Sequence, residues 1–149
     1  MKILVVDDNR AIASLIQFIL EEEGFQVMVA MDGEEGYAVY LFFEPDLVIT
    51  DLHMPKRHGM ELMKLIRSQN PGIKGIYMSA DPYGFQPLLD EEIKKYGVGF
   101  LEKPFSRDEL MKSLSTYISF ENSSISPSRC KHGENAASSK TIISIGGRA

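Results

Sequence analysis

The chain has 149 residues, of which 44% are hydrophobic and 25% charged, and its formal net charge is −5 at pH 7. This length suits one domain with a substantial core and is short for two. The acidic balance offers no basic surface for nucleic acid and no attraction to an anionic membrane, so we expect neither as a direct partner.

The cysteine count and the amino terminus bear on the compartment. Cys130 is the single cysteine, so no internal disulfide can form and a reducing compartment fits the composition. We interpret this thiol as incidental. The first apolar run, residues 3–6, is too short for a signal peptide or a membrane span. We therefore expect a cytoplasmic protein without a membrane segment.

Short apolar runs alternate with amphipathic stretches through the first 118 residues. Strands are predicted at 2–6, 25–30, 46–50, 73–79 and 98–102. Helices are predicted at about 10–23, 34–43, 60–68, 87–96 and 106–118. The buried stripe of the first helix is expected to comprise Ile12, Leu15, Ile16, Ile19 and Leu20. Ser106 and Glu109 are spaced as a capping box for the last helix.

This alternation predicts an α/β fold, namely a doubly wound five-stranded parallel sheet with helices on both faces. Right-handed crossovers favour the flavodoxin-like strand order 2-1-3-4-5. We assign residues 1–120 to this domain. Residues 121–149 are rich in Ser, Gly and Asn, and we expect a disordered tail or a truncated linker there, with 141–145 as an isolated candidate strand.

Polar side chains stand where four of the predicted strands end. They are Asp7 and Asp8 after the first strand, Asp51 after the third, Ser79 at the end of the fourth and Lys103 after the fifth. In the expected strand order these four strands are neighbours, so the five groups should meet at the carboxyl edge of the sheet. Open α/β sheets bind their ligands at that edge.

The chemistry of this set suggests metal-assisted phosphoryl transfer. Three carboxylates placed close together repel one another unless a cation joins them, and Mg²⁺ favours such oxygen ligands. Asp51 is the candidate nucleophile, because a carboxylate can attack phosphorus to form an acyl phosphate. Lys103 would neutralise phosphoryl oxygens as a point charge, and Ser79 would donate a hydrogen bond to one of them.

Each of these residues also has a purely structural interpretation. One member of Asp7, Asp8 and Asn9 can cap the first helix. Asp51 can be a turn aspartate, and Lys103 can be an ordinary surface lysine before Pro104, in a turn that allows a cis peptide bond. The coincidence of all these residue types at the ends of different strands favours the functional interpretation.

Several motifs carry a family resemblance: residues 3–8 (ILVVDD), 46–55 (DLVITDLHMP), Gly59, 78–80 (MSA) and 103–105 (KPF). With them the sequence resembles a response-regulator receiver domain, of the kind paired with sensor histidine kinases, over about residues 1–120. The resemblance implies a phosphoacceptor at Asp51. It also implies a Mg²⁺ site formed by Asp7, Asp8, Asp51 and the backbone carbonyl of His53.

The resemblance assigns further roles near the same edge. Ser79 would be the switch hydroxyl, and Lys103 would pair with the phosphoryl group. Phe100 stands where the family has a rotating aromatic switch, although it could be a plain core residue. His53 and Asp81 would tune hydrolysis of the acyl phosphate, and these two side chains could pair with each other in the resting site. Pro82 and Pro87 predict a longer or stiffer loop before the fourth helix.

The implied protein is a signalling switch and not an enzyme, although it assists its own phosphorylation and dephosphorylation. It would take a phosphoryl group from a sensor histidine kinase or a histidine phosphotransfer protein. The face formed by helix 4, strand 5 and helix 5 would then signal to a downstream protein partner, and a phosphorylation-dependent homodimer is compatible with this mechanism.

Three alternatives share parts of this interpretation. A haloacid-dehalogenase-like phosphatase needs two aspartates two residues apart after strand one, which Asp7-Asp8-Asn9-Arg10 does not provide. A flavodoxin needs a hydroxyl- and glycine-rich phosphate loop there, and an aspartate pair would repel phosphate. A non-phosphorylated pseudo-receiver that only docks to partners would not need the intact set of acidic, hydroxyl and lysine residues.

Overall fold

The computed structural model describes residues 1–124, without the side chains of 119–124. The strands are β1 Lys2–Val6, β2 Gln26–Ala30, β3 Leu47–Asp51, β4 Lys74–Ser79 and β5 Gly99–Glu102. The helices are α1 Arg10–Glu22, α2 Gly33–Phe43, α3 Gly59–Arg67, α4 Gln86–Tyr96 and α5 Arg107–Ser124. The predictions for Cys130, for residues 125–149 and for a strand at 141–145 lie outside the described residues.

The sheet is fully parallel, in the order β2-β1-β3-β4-β5. This confirms the predicted doubly wound, flavodoxin-like fold. All five residues of β3 are buried, as expected for a central strand covered on both faces. One apolar cluster lies under α1 and α5, and a second lies under α2, α3 and α4. Neighbouring residues of one strand, such as Ile3 and Leu4, therefore enter opposite clusters.

Two details of the helices differ from the prediction. Leu15 was expected in the buried stripe of α1, but it is 58% exposed, while Ala13 is buried. Ala13, Ile16 and Leu20 follow the i, i+3, i+7 spacing of one helical face, and Leu15 lies off that face. The last helix continues to Ser124, beyond residue 118. Once a helix is nucleated, propagation adds one hydrogen bond per residue without needing an apolar stripe.

Side chains cap the first and the last helix of the domain. The Asn9 side-chain oxygen accepts hydrogen bonds from the backbone N–H groups of Ala11 (3.0 Å) and Ile12 (3.2 Å) at the start of α1. At the start of α5, the Glu109 N–H donates to Ser106 Oγ at 3.1 Å and the Ser106 N–H donates to Glu109 Oε2 at 3.0 Å. The predicted capping box is thus confirmed. Because Asn9 caps α1, Asp7 and Asp8 are not needed as caps of this helix.

A polar network attaches α4 to the rest of the domain. Leu89 is the fully buried apolar side chain of this helix. Glu92 Oε1 accepts a hydrogen bond from the Tyr77 hydroxyl at 2.6 Å and lies 2.8 Å from Arg67 Nη1. The guanidinium carbon of Arg67 is 3.6 Å from the centroid of the Tyr96 ring. Burial, together with the charge of Glu92, raises the pKa of Tyr77, so this hydroxyl stays a donor.

We expect Glu92→Gln to lower the free energy of unfolding by about 2–3 kcal/mol, because the buried Arg67 loses its charge partner. The loss should be somewhat smaller than for a fully buried pair, since the Glu92 side chain is 19% exposed. Urea unfolding followed by circular dichroism measures it. Glu91→Gln, an exposed position on the same helix, is the matched control, and equal stability of both variants would contradict the prediction.

Candidate functional site

The parallel register brings the predicted site residues to one level at the carboxyl edge. Asp51 lies opposite Met78 on β4, and Ser79 lies opposite Glu102 on β5. The pairing continues past the strand ends, where the Lys103 N–H donates to the carbonyl oxygen of Ser79 at 2.9 Å. The Lys103–Pro104 peptide bond is cis. Because of its hydrogen bond to Ser79, the Lys103 backbone lies directly beside the end of β4.

The three aspartates converge as the sequence predicted. Asp7, Asp8 and Asp51 each offer a carboxylate oxygen, and these oxygens all lie within 4.8 Å of one another. Asp7 is completely buried, Asp51 is 7% exposed, and Asp8 is exposed. Lys103 Nζ lies between two of them, 2.7 Å from Asp7 Oδ2 and 3.2 Å from Asp51 Oδ2. One ammonium group thus contacts two members of a cluster of three carboxylates.

The electrostatics of the cluster are unbalanced toward negative charge. Burial raises the pKa of Asp51, and the charge of Asp7 raises it further, while Lys103 opposes both effects without cancelling them. Burial alone would lower the pKa of Lys103, but its hydrogen bond to Asp7 and the charge of Asp51 produce a net rise. Lys103 therefore stays charged, and one more cation would relieve the remaining repulsion.

The donor set fits a hard divalent cation. Carboxylate oxygens at this spacing, two of them on largely buried aspartates, are the ligand type that Mg²⁺ takes in proteins. The main-chain carbonyl of His53, which the family resemblance adds to this set, is another hard oxygen donor. Three carboxylates share one ammonium group, and this formal excess of negative charge supports a cation here.

The loop after β3 holds Asp51 through short backbone contacts. The His53 N–H donates to Asp51 Oδ1 at 3.3 Å, and the Leu52 N–H donates to the Met78 carbonyl at 2.9 Å. Gly59 begins α3 against the same point, because a Cβ atom built on it would lie 2.3 Å from the Asp51 carbonyl oxygen. Gly59 belongs to the family motif in the sequence, and this close approach is the physical reason for glycine.

Ser79 and Phe100 occupy the positions expected of them. Ser79 is fully buried, and its Oγ accepts a hydrogen bond from the Asp81 N–H at 2.9 Å. Phe100 lies opposite Tyr77 in the sheet register and is half-buried against the cluster under α2, α3 and α4. This position is compatible both with a core phenylalanine and with a ring that moves between two environments.

The alternative in which His53 pairs with Asp81 is not the arrangement in this structure. Within residues 1–124, no hydrogen bond or salt bridge joins them. The His53 imidazole instead packs edge-to-face on Phe85, with ring centroids 4.5 Å apart and planes at 75°. The predicted stiff loop is a short 3-10 helix, Pro82–Phe85, which leads directly into α4. Its last residue places an aromatic ring against His53.

Phe85 is the residue that the sequence reasoning missed. The segment Tyr83-Gly84-Phe85 between two prolines was visible in the sequence, but nothing in it distinguishes the exposed aromatic from the packed one. Tyr83 is 81% exposed, whereas Phe85 is half-buried against the core under α4. The two side chains point in different directions because the 3-10 helix turns between Tyr83 and Phe85.

The fold and the site define a flavodoxin-like domain with an acidic, lysine-bridged cluster at the carboxyl edge of its sheet. A family model, the response regulator receiver domain, matches residues 3–115. The chain therefore belongs to the receiver-domain family of two-component response regulators, whose members are signalling switches generally not classed as enzymes.

Individual relatives agree with this family. Chemotaxis protein CheY of Listeria monocytogenes is 33% identical over 115 residues, which cover 76% of this chain and 95% of that protein. The alkaline phosphatase synthesis transcriptional regulatory protein PhoP of Bacillus subtilis is 36% identical over 109 residues, which cover 73% of this chain. The chain spans about half the length of this and similar transcriptional regulators.

A solved structure supports the same assignment. The receiver domain protein from Clostridium thermocellum superposes with a TM-score of 0.73 and 28% identity, covering 83% of this chain and 98% of that one.

Through Ser124, none of the helices combines the length and apolar character that crossing a bilayer requires.

We expect Gly59→Ala to destabilise the domain by about 1–3 kcal/mol, the usual cost of overpacking a tight site. The added methyl group would push α3 away from the Asp51 carbonyl oxygen. Thermal or urea unfolding measures the change. Gly72→Ala is the matched control, because a Cβ there meets nothing within 4 Å. A Gly59 variant as stable as the Gly72 variant would argue against the close packing.

We expect Asp51→Asn to stabilise the fold at neutral pH by about 1 kcal/mol, because burial and the charge of Asp7 together disfavour the carboxylate more than Lys103 favours it. Folding raises the pKa of Asp51, so the protonated side chain stabilises the fold. This contribution to stability is fully present below the ordinary carboxyl pKa. That contribution is lost as pH rises through the raised pKa. The advantage of the variant should therefore shrink at acid pH.

Urea unfolding at neutral and acid pH measures this difference. Asp90→Asn, at an exposed aspartate of α4, is the control and should change little with pH. An Asp51→Asn protein that is less stable than the unmodified chain at neutral pH would show that the Lys103 contact outweighs the repulsion.

Proposed function

We propose that this receiver domain is a phosphorylation-driven switch with Asp51 as its phosphoacceptor. The observation that carries the proposal is the difference among the three aspartates. Asp7 is fully buried, and both of its oxygens are engaged, by the Asn9 N–H at 2.9 Å and Lys103 Nζ at 2.7 Å. Asp51 is partly accessible and has longer contacts of 3.2 and 3.3 Å. Asp8 is exposed.

The proposed transfer uses Asp51 as the nucleophile. A carboxylate oxygen of Asp51 forms a bond to phosphorus while the bond from phosphorus to the donor's histidine nitrogen breaks, and that nitrogen keeps the electron pair. The donor is a sensor histidine kinase or a histidine phosphotransfer protein, which places this activity in the cytoplasm. Lys103, already 3.2 Å from Asp51 Oδ2, is positioned to pair with a phosphoryl oxygen.

The same residues would hold the metal. Mg²⁺ bound by Asp7, Asp8, Asp51 and the His53 carbonyl would neutralise charge on the carboxylates and on the incoming phosphoryl oxygens. Asp7 anchors the cluster from its buried position, and its bond to Lys103 keeps that ammonium group oriented toward Asp51. His53 and Asp81 flank the opening and tune hydrolysis.

The proposed output begins at Ser79. Its hydroxyl turns to a phosphoryl oxygen and releases the Asp81 N–H, which lets the loop after β4 move, and Phe100 turns inward. A complete switch needs about 5.5 kcal/mol of differential stabilisation. A few charge-assisted hydrogen bonds of about 1.5–3 kcal/mol each are sufficient.

The face formed by α4, β5 and α5 then meets a protein partner. The exposed large apolar side chains of α4 are Leu88, Ile93 and Tyr96, at 56%, 40% and 40% exposure. A downstream signalling protein or a second phosphorylated copy of this domain is the proposed partner.

We expect Asp51→Asn to abolish phosphoryl uptake from acetyl phosphate with Mg²⁺, because the amide is a poor nucleophile. Intact mass spectrometry should show a single phosphoryl adduct on the unmodified chain and none on the variant. Asp90→Asn, which removes an exposed carboxylate away from the site, should retain the adduct. One adduct on the Asp51 variant would show that another residue is the acceptor.

A further inference from the structure

An aromatic cluster joins the two segments that border Asp51. His53 and His58 belong to the loop between β3 and α3, and Phe85 ends the 3-10 helix before α4. The Phe85 ring meets His53 edge-to-face, with centroids 4.5 Å apart, and meets His58 in the same manner at 6.1 Å. Such edge-to-face contacts are favourable for aromatic rings. They connect two loops that share no strand pairing.

Phe85 and His53 differ in how firmly their side chains are held by the rest of the domain. Phe85 is half-buried and packs on the apolar cluster under α4, and prolines flank its segment at 82 and 87. The Phe85 ring is therefore better anchored than the His53 imidazole. His53 is exposed, and the Phe85 ring is the aromatic contact that limits where its imidazole lies.

The imidazole is held beside the acceptor. The His53 N–H donates to Asp51 Oδ1 at 3.3 Å, so the histidine backbone touches the carboxylate. The Asp51 side chain keeps only 10% of its surface exposed. Because the His53 backbone touches the carboxylate, an imidazole held on Phe85 stays next to this opening on the side of the 3-10 helix.

We propose that Phe85 is a positioning residue that holds His53 across the opening above Asp51 and thereby slows hydrolysis of the acyl phosphate. The proposal rests on the proposed phosphoacceptor function. In the step that it governs, a water oxygen bonds to phosphorus and the bond from phosphorus to the Asp51 oxygen breaks. Free carboxylate and inorganic phosphate result, and the proton of the attacking water passes to solvent. Without the ring, His53 moves and water gains access.

The test follows decay of the adduct on the full chain. The protein is phosphorylated with acetyl phosphate and Mg²⁺, the donor is removed by rapid desalting into Mg²⁺ buffer, and intact mass is recorded over time. We expect Phe85→Ala and Phe85→Leu to shorten the lifetime roughly two- to tenfold, the kinetic equivalent of one edge-to-face ring contact. Phe85→Leu keeps apolar bulk under α4, so it guards against a folding defect.

Two controls separate positioning from general loosening. Tyr83→Ala removes an aromatic ring from the same 3-10 helix, but this ring is 81% exposed, so the lifetime should not change. In a His53→Ala background, Phe85→Ala should have no further effect, because Phe85 acts through His53. In the unphosphorylated protein, the ring-current shift of the His53 imidazole protons should vanish in Phe85→Leu and persist in Tyr83→Ala.

The outcomes are distinguishable. Adducts on both Phe85 variants that decay at the native rate or more slowly would overturn this proposal and leave the proposed function intact. An equal acceleration by Phe85→Ala with and without His53 would also overturn it. Failure of the unmodified chain to form any adduct would overturn the proposed function and this inference together.

Discussion

Mutual repulsion among Asp7, Asp8 and Asp51 is the constraint on which the site depends. Their oxygens lie within 4.8 Å of one another, and two of the three side chains are buried. Such a cluster persists only with a cation, and Lys103 provides one by bridging Asp7 and Asp51. The remaining negative charge adds to the effect of burial, which is the main reason that the pKa of Asp51 is raised. It also makes the site receptive to a second cation and to a rearrangement of Lys103.

Structural support is divided between the two sides of this cluster. The β3 side is rigid, because every residue of that strand is buried and Gly59 packs α3 directly on the Asp51 carbonyl oxygen. The α4 side rests on one buried leucine, a polar network centred on Glu92 and the Phe85 ring. Polar and edge-to-face contacts have discrete alternative partners, whereas a packed apolar core does not. Movement is therefore expected on the α4 side.

Prediction from the sequence succeeded where the signal was local. The apolar run of β3, the cap residues of α5 and the alternation of strands and helices are read within windows of a few residues. Prediction failed where the outcome depended on the direction in which a side chain points from its helix or loop. Leu15 has helical spacing but lies off the face that meets the sheet, and His53 meets Phe85 instead of Asp81. Local periodicity does not specify which neighbour a side chain will find.

The order of strand and helix signals along the chain was enough to predict the fold class, the strand order and the convergence of three aspartates, a serine and a lysine at one edge. Handedness and burial rules leave little choice once the strands are placed. The tertiary structure was needed to show that Asp7 is fully buried while Asp51 keeps a small exposed fraction, that Lys103 bridges them, and that Phe85 rather than Tyr83 meets His53. These features are distances and directions between residues far apart in the chain, and packing alone sets them.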